Sequence, residues 1–374
     1  MSYQSEFAQS ETAQRVCAKI RSAVTRRWTI MEFCGTHTQT ILEYGLDRLL
    51  PESLEIIHGP GCAICITPLE IIDRAFAIAR LPEVIFCLFG QLLRVPGTAS
   101  DLLEAKASGA DVRVVYSSLD CVRIAQENPD RKVVFFAVGS ERVLPENAAS
   151  LLEAERLGLN NFFILSSQAH MPPICSAVLQ RHDGNVHALL GPGNSCSVIG
   201  YKEYETISRE FNVPIVVSGI EPIDVLEGLY RCIVQLESGK HTVENQCTKS
   251  VTRAGNSEQQ DLIKQVFSLM DFKWRRLGII PGSGFQLKSQ YDAYNAWISF
   301  AVEDKPSRES PVCISEEIML GLKKPFDCPA FGKSCTREHP VGATMVSSEG
   351  TCTLYHKYKT VAPEPEQTPA PAHG

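Results

Sequence analysis

Glu83-Val84-Ile85-Phe86-Cys87-Leu88-Phe89-Gly90 sets six consecutive apolar residues between a carboxylate and a glycine. A strand with one wet face alternates apolar and polar side chains; an unbroken apolar run of this length needs cover on both faces. Residues 68–80 before it carry Leu69, Ile72, Phe76 and Ala77 at helical spacing, and 100–108 after it reads as a second helix. A strand between two helices is the repeating unit of a parallel sheet. The unit recurs along the chain. Strands are predicted at 83–89, 112–116, 132–138, 161–165, 186–190 and 214–218, with helices at 68–80, 100–108, 119–128, 145–157, 173–181 and 222–237. About six such units predict an α/β protein with two doubly wound parallel-sheet domains. Ligands of such sheets bind at the carboxyl ends of the strands.

The pattern divides the chain into an N-terminal segment at 1–57, a first α/β domain at 58–140 and a second at 141–240. A C-terminal segment follows at 241–358, and the Pro/Ala-rich 359–374 reads as a disordered tail. Residues 6–27 read as one amphipathic helix through Ala13, Val16, Ile20 and Val24, followed by a strand over 28–33. The net charge of −7 without a basic cluster argues against nucleic-acid binding. No apolar run is long enough to span a membrane, and Met1-Ser2-Tyr3-Gln4-Ser5-Glu6 lacks the layout of a signal peptide, so a cytoplasmic protein is expected.

Fourteen cysteines in such a chain are more than structural disulfides explain in a reducing compartment. Cys17, Cys87, Cys175 and Cys232 sit in apolar surroundings and read as buried thiols. Others stand in turns. In Gly59-Pro60-Gly61-Cys62-Ala63-Ile64-Cys65-Ile66-Thr67-Pro68-Leu69-Glu70, a C-x-x-C pair precedes a helix. Thr67 reads as its N-cap, Pro68 as its first residue and Glu70 as the capping-box acid. The positive helix end would favour thiolate at Cys62 and Cys65, as redox exchange, metal ligation and nucleophilic attack all require. Cys34-Gly35-Thr36-His37 places a thiol and an imidazole three residues apart at a strand-to-helix turn. That spacing suits metal ligation or an activated thiol, and a purely structural pairing equally.

Near the C-terminus, Cys313, Cys328, Cys335 and Cys352 are separated by 14, 6 and 16 residues. Zinc sites draw paired C-x2–4-C knuckles, and none is present. Loops of this length wrap a [4Fe–4S] cluster more readily, with zinc as the alternative. The glycine-rich turns match neither G-x-G-x-x-G nor a P-loop, so a nucleotide site has no support. Glu141 and Glu221, each at the end of a predicted strand, are candidates for a site or for helix capping.

Cys34-Gly35-Thr36-His37, the Gly59–Cys65 stretch, Phe89-Gly90 with Arg94-Val95-Pro96-Gly97, Asp327-Cys328-Pro329 with Phe331-Gly332-Lys333-Ser334-Cys335, and Met345-Val346-Ser347-Ser348-Glu349-Gly350-Thr351-Cys352 together resemble the hydrogenase maturation factor HypD family, from about residue 28 to 358. The resemblance implies two α/β domains plus a smaller Fe–S domain built from the N- and C-terminal segments. It implies a scaffold with redox activity for assembling the Fe(CN)2CO group of [NiFe]-hydrogenases, with a HypC-type chaperone and a HypE-type cyanide carrier as partners and the hydrogenase large subunit served indirectly. Under it, Cys34 binds iron with His37 as its neighbour, and Cys62 and Cys65 relay electrons from a [4Fe–4S] cluster held by Cys313, Cys328, Cys335 and Cys352. The chain departs from the family pattern at five places: Gln39 and Asn194 replace histidines, Gln91 an aspartate, Gly139-Ser140-Glu141-Arg142-Val143 stands for G-F-E-T-T with its glutamate one place out of step, and Ser315 replaces a cysteine, with Cys313 two residues earlier. A stand-alone Fe–S thiol–disulfide oxidoreductase, a paralogue assembling another metal centre and a non-catalytic module with zinc or no metal are the alternatives.

Overall fold

A computed structural model describes residues 3–182, 184–302 and 306–359. The tail expected at 359–374 lies, past Lys359, outside the described residues. The strands are β1 (Trp28–Glu32), β2 (Leu54–His58), β3 (Val84–Leu88), β4 (Asp111–Val114), β5 (Lys132–Ser140), β6 (Phe162–Ala169), β7 (Ala188–Pro192), β8 (Ile215–Ser218), β9 (Val243–Asn245), β10 (Phe267–Trp274) and β11 (Gly278–Leu287). They form two sheets with helices between them in sequence, so the α/β class holds. One sheet has the order β2-β1-β7-β8-β9, all parallel. The other has the order β10-β11-β6-β5-β3-β4; four strands are parallel and the hairpin β10–β11 is added antiparallel at one edge.

The continuous apolar runs are buried on both faces, as their composition requires: every residue of β3, β7 and β8 is buried. Counted along the chain, the strands of the first sheet run 2-1-3-4-5, and the parallel part of the second runs 2-1-3-4. Each sheet therefore has a switch point, between β1 and β7 in one and between β3 and β5 in the other. There, neighbouring connections leave in opposite directions and open a crevice at the strands' carboxyl ends.

Sheet membership cuts across the segment boundaries read from the sequence. Strand β6, within 141–240, pairs with β5, and the N-terminal β1 and β2 pair with each other and with β7. An apolar run reports that a strand is covered, not which strand lies beside it, and here the chain crosses between the sheets three times. The first crossing carries Cys62 and Cys65. Two local expectations also change. Residues 6–27 are not one helix but two, Tyr3–Ala8 and Glu11–Ala23, because Ser10 caps the second by accepting from the Ala13 N–H. The unassigned region at 241–300 supplies β9 and the β10–β11 hairpin.

Helix Glu11–Ala23 packs on helix Pro222–Glu237 over one face of the first sheet. The C-terminal helix Thr351–Tyr358 packs instead on helix Gly35–Glu43, with Leu354 and Tyr355 against Leu42. Among the described residues, no helix is long and apolar enough to cross a membrane. Phe136, at the middle of β5, is fully buried beside Phe86. Phe136→Ala should cost about 3–5 kcal/mol, read as a lowered urea midpoint at unchanged m-value.

Candidate thiol cleft and four-cysteine site

Cys34 follows β1 directly and is the N-cap of helix Gly35–Glu43, so the first-turn amides of Thr36 and His37 point at its sulfur. Cys62 follows β2 and Gly59-Pro60-Gly61. Gly61 is required by close approach: a Cβ there would stand 2.5 Å from both the Cα and the N of Cys34. The two loops therefore lie against each other, and Cys34 and Cys62 line one cleft of about 150 Å3. Gln91 after β3, Ser140 and Arg142 at the end of β5, and Asn194 after β7 line the same cleft. It thus lies at the switch points of both sheets at once. Larger cavities lie elsewhere, one of about 440 Å3 by Ile71 and Trp297 and one of about 950 Å3 by Arg74 and Arg308, but neither is lined by a cysteine.

Beneath the Cys34 loop sits Glu32, fully buried. Its carboxylate accepts from the Cys34 N–H at 2.9 Å, from the Thr38 hydroxyl and from His58 Nδ1 at 2.7 Å. His58 is the register partner of Glu32 on β2, and its Nε2 pairs with the Tyr355 hydroxyl at 3.3 Å. Sequence reading passed over Glu32, His58 and Tyr355; a carboxylate and an imidazole ending two predicted apolar segments was the available signal.

The expected helix-stabilised thiolates are not what the fold produces. Burial pushes the Cys34 thiol up to about 12, outweighing the amides of His37 and Thr36. Cys65 is raised well above the usual thiol range, first by its hydrogen bond with Cys62 and then by burial. The capping expectation fails for a local reason. A single turn, Ala63–Ile66, intervenes, and its Ala63 carbonyl takes the Thr67 hydroxyl at 2.9 Å. Pro68 caps helix Leu69–Ala79 without a side-chain bond, and Glu70 pairs with Lys273.

His37 contributes its backbone to Cys34, not its ring. The imidazole is fully buried; its Nε2–H donates to the Gly219 carbonyl at 3.0 Å, and burial lowers its pKa, keeping it neutral. The departures from the family pattern divide. Gln39 pairs with Glu43 on its own helix, away from the cleft. Asn194 Oδ1 lies 3.9 Å from Cys34 Sγ, which donates to it. Gln91 Oε1 accepts from Ser347 Oγ at 3.3 Å, and Ser347 in turn accepts from the Cys62 thiol at 3.2 Å.

Cys313, Cys328, Cys335 and Cys352 line one small void with Ser315. Cys313 faces it: a Cβ on Gly342 would stand 2.7 Å from its sulfur, and Cys313 acts electrostatically on both Cys335 and Cys352. The Val341 N–H donates to Cys335 Sγ at 3.4 Å and the Thr344 hydroxyl to Cys352 Sγ at 3.2 Å. Burial pushes Cys352 up to about 12, with the other three thiols adding to it. Two of the four thiols, Cys335 and Cys352, are buried and two, Cys313 and Cys328, are half-buried; four soft sulfur donors around one void are a set that a metal centre accepts. Among the described residues, no three His, Cys, Asp or Glu side chains are arranged to hold a single metal ion. Cys65 lies between the two sites, bonded to Cys62 and acted on electrostatically by Cys352. The thiols expected to be structural, Cys17, Cys87, Cys175 and Cys232, are all buried.

Glu141 is neither exposed nor in the cleft. It accepts from the Met171 N–H at 2.6 Å and from His170 Nδ1 at 3.1 Å, while His170 Nε2 faces Glu203 at 3.0 Å. Both ring nitrogens face carboxylates, so the imidazolium is the bound form. Burial works to lower the His170 pKa, and the two carboxylates reverse this and raise it to about 9. Glu221 is the N-cap residue of helix Pro222–Glu237 without a side-chain bond.

The sequence profile of HypD, described as "Hydrogenase formation hypA family", matches residues 11–359. The chain is 41% identical to the hydrogenase maturation factor HypD1 of Bradyrhizobium diazoefficiens, over 97% of this chain and 98% of that one. It is 42% identical to the hydrogenase maturation factor HypD of Escherichia coli K12, over 88% and 89% of the two chains. It is 39% identical to the hydrogenase expression/formation protein HupD of Azotobacter chroococcum, over 96% and 97%.

Two outcomes follow from the buried carboxylates. Glu32→Ala leaves His58 and the Cys34 amide without their acceptor and should destabilise the chain by about 3–5 kcal/mol, measured by urea unfolding. The His170 contribution is fully present below the ordinary histidine value of about 6.5 and is lost as pH rises through about 9. Stability should therefore fall between those limits, and His170→Gln should flatten that decline in a pH series of unfolding midpoints.

Proposed function

The chain belongs to the HypD family, and we propose that it is a [NiFe]-hydrogenase maturation factor on which the Fe(CN)2CO group is assembled at Cys34. The observation that carries this is the sequence of thiols in space: Cys34 and Cys62 share a cleft, Cys65 is bonded to Cys62, and Cys352 of the four-cysteine set lies next along. Iron is the cargo here, and a soft thiolate suits low-spin ferrous iron carrying cyanide and carbonyl. The high pKa of Cys34 means that the empty protein holds a thiol, and iron displaces the proton.

The four-cysteine set fits a [4Fe–4S] cluster, in which each thiolate binds a different iron around a shared void; Cys313, Cys328, Cys335 and Cys352 would be its ligands. When bound, such a cluster accepts and donates single electrons at low potential. The Val341 amide and Thr344 hydroxyl then donate to the ligating sulfurs and stabilise their charge. Cys62 and Cys65 would relay electrons between the cluster and the iron site. Closing their disulfide gives two electrons and two protons to the group being assembled at Cys34, and two single-electron transfers from the cluster with two protons reopen it. Ser347 accepts the hydrogen bond of the Cys62 thiol. A HypC-type chaperone sharing the iron at Cys34 and a HypE-type carrier delivering cyanide complete the reading, with the hydrogenase large subunit as the eventual recipient. The oxidoreductase alternative is disfavoured by access: Cys62 and Cys65 are 5% and 3% exposed, which keeps a protein disulfide from either sulfur.

Anaerobically purified protein should contain iron and sulfide near the stoichiometry of one cluster, and Cys352→Ala or Cys313→Ala should remove most of both. Cys34→Ala should keep the cluster and abolish hydrogenase maturation in a strain lacking its own factor. Full maturation by Cys34→Ala, or zinc in place of iron and sulfide, overturns the reading.

A further inference from the structure

The cleft beside Cys34 carries donors that the thiol relay does not use. Arg142 lies on its wall, two residues past the end of β5, exposed and, among the described residues, without a hydrogen bond or ion pair on its guanidinium. It is the one cationic side chain among those that line the cleft. Glu349, on the same wall, feels its charge, but that carboxylate is already engaged. It accepts from the Thr36 hydroxyl at 3.1 Å, and burial pushes its pKa up, toward the neutral acid.

Two further donors face the same space. Asn194 spends its Oδ1 on the Ser195 amide at 2.8 Å and on the Cys34 thiol, which leaves both Nδ2 hydrogens free. Ser195 and Ser140 stand 3.3 Å apart at their hydroxyls, so one of the two protons closes that bond and the other remains to donate. The rest of the wall includes Phe33, Val138 and Met171, which lower the local dielectric and strengthen any charge pairing inside. A cavity of about 150 Å3 is below the range of about 300–1,000 Å3 that takes ordinary organic ligands. A cation, an amide and a hydroxyl around so small a space beside a thiol select a ligand of few atoms, negatively charged and accepting at its far end.

We propose that Arg142, with Asn194 and Ser195, forms a donor subsite that holds a small linear monoanion of the pseudohalide class, cyanide being one, beside the Cys34 sulfur. This deepens the proposed function and rests on it for its purpose: a cyanide bound to iron through carbon turns its nitrogen outward as an acceptor. The guanidinium fixes the orientation of that nitrogen and offsets the negative charge that thiolate and cyanide bring together. Asn194 stands where the family pattern has a histidine, so in this chain the positive charge of the cleft comes from the β5 side and is permanent, because a guanidinium does not titrate in the working range.

The test uses thiocyanate, an anion at every working pH, titrated calorimetrically into the metal-free full chain. Wild type should bind about one equivalent saturably. Arg142→Gln should weaken binding at least about tenfold, the loss of one charge-assisted hydrogen bond, and Arg142→Lys should fall between the two. Asn194→Ala should weaken it less than Arg142→Gln. An unchanged near-ultraviolet circular dichroism spectrum in the arginine variants excludes a folding defect. No saturable binding by wild type, or equal binding by Arg142→Gln, overturns the subsite. Since the titration involves neither iron nor a hydrogenase, its failure is distinguishable from failure of the maturation reading, which Cys34→Ala tests in cells.

Discussion

One buried carboxylate holds the thiol sites in register. Glu32 has no contact with water, and an ion in that position is tolerated only when its oxygens are satisfied. The donors that satisfy it come from three places: the amide of Cys34, the hydroxyl of Thr38 in the first turns of the next helix, and the imidazole of His58 at the end of β2. His58 passes the constraint on through Tyr355 to the helix that bears Cys352. A single polar network thus positions the Cys34 loop, the strand that leads into Cys62 and the helix of the four-cysteine segment. Displacing any one of these elements would strand a buried charge or donor.

The sheets supply the opening. Each has its switch point at the carboxyl end, and the chain crosses from one sheet to the other through Cys62 and Cys65, so the two crevices merge into one cleft with thiols on its floor. The same burial that draws the loops together raises the pKa of Cys34, and with the hydrogen bond from Cys62 that of Cys65. Helix-end amides on Cys34 are real, yet they cannot offset the desolvation of a thiolate in so dry a site. A metal cation can, because it takes the place of the thiol proton. Cys62 and Cys65 are covered as well, so solvent and stray oxidants meet little exposed sulfur.

The positions where this chain departs from its family are not equivalent. Gln39 is half-buried and donates to Glu43 on its own helix, outside the cleft lining. Asn194 takes the hydrogen bond of the Cys34 thiol itself, and Gln91 touches Ser347, the partner of Cys62. Ser315 lines the four-cysteine void while Cys313, two residues away, turns its sulfur toward the other three thiols. The void is thus lined by four sulfurs without a cysteine at 315.

From the sequence alone came the α/β class and the buried strands, because apolar runs and helical spacing are local records of burial. Glu83–Phe89 could be read as a covered strand from six side chains. It could not be read as the neighbour of β5, nor could β6 be placed beside β5 or β1 beside β7, since parallel pairing is decided by crossovers dozens of residues long. The side-chain roles at the cleft were equally out of reach. His37 turned out to serve Cys34 through its amide, Thr67 to end the Ala63–Ile66 turn instead of starting the next helix, and Arg142 to face the same space as Asn194. Each of these depends on which loops from distant parts of the chain arrive at one sheet end. Only the packed structure decides that, because the desolvation that sets the state of Cys34 exists nowhere until those loops close over it.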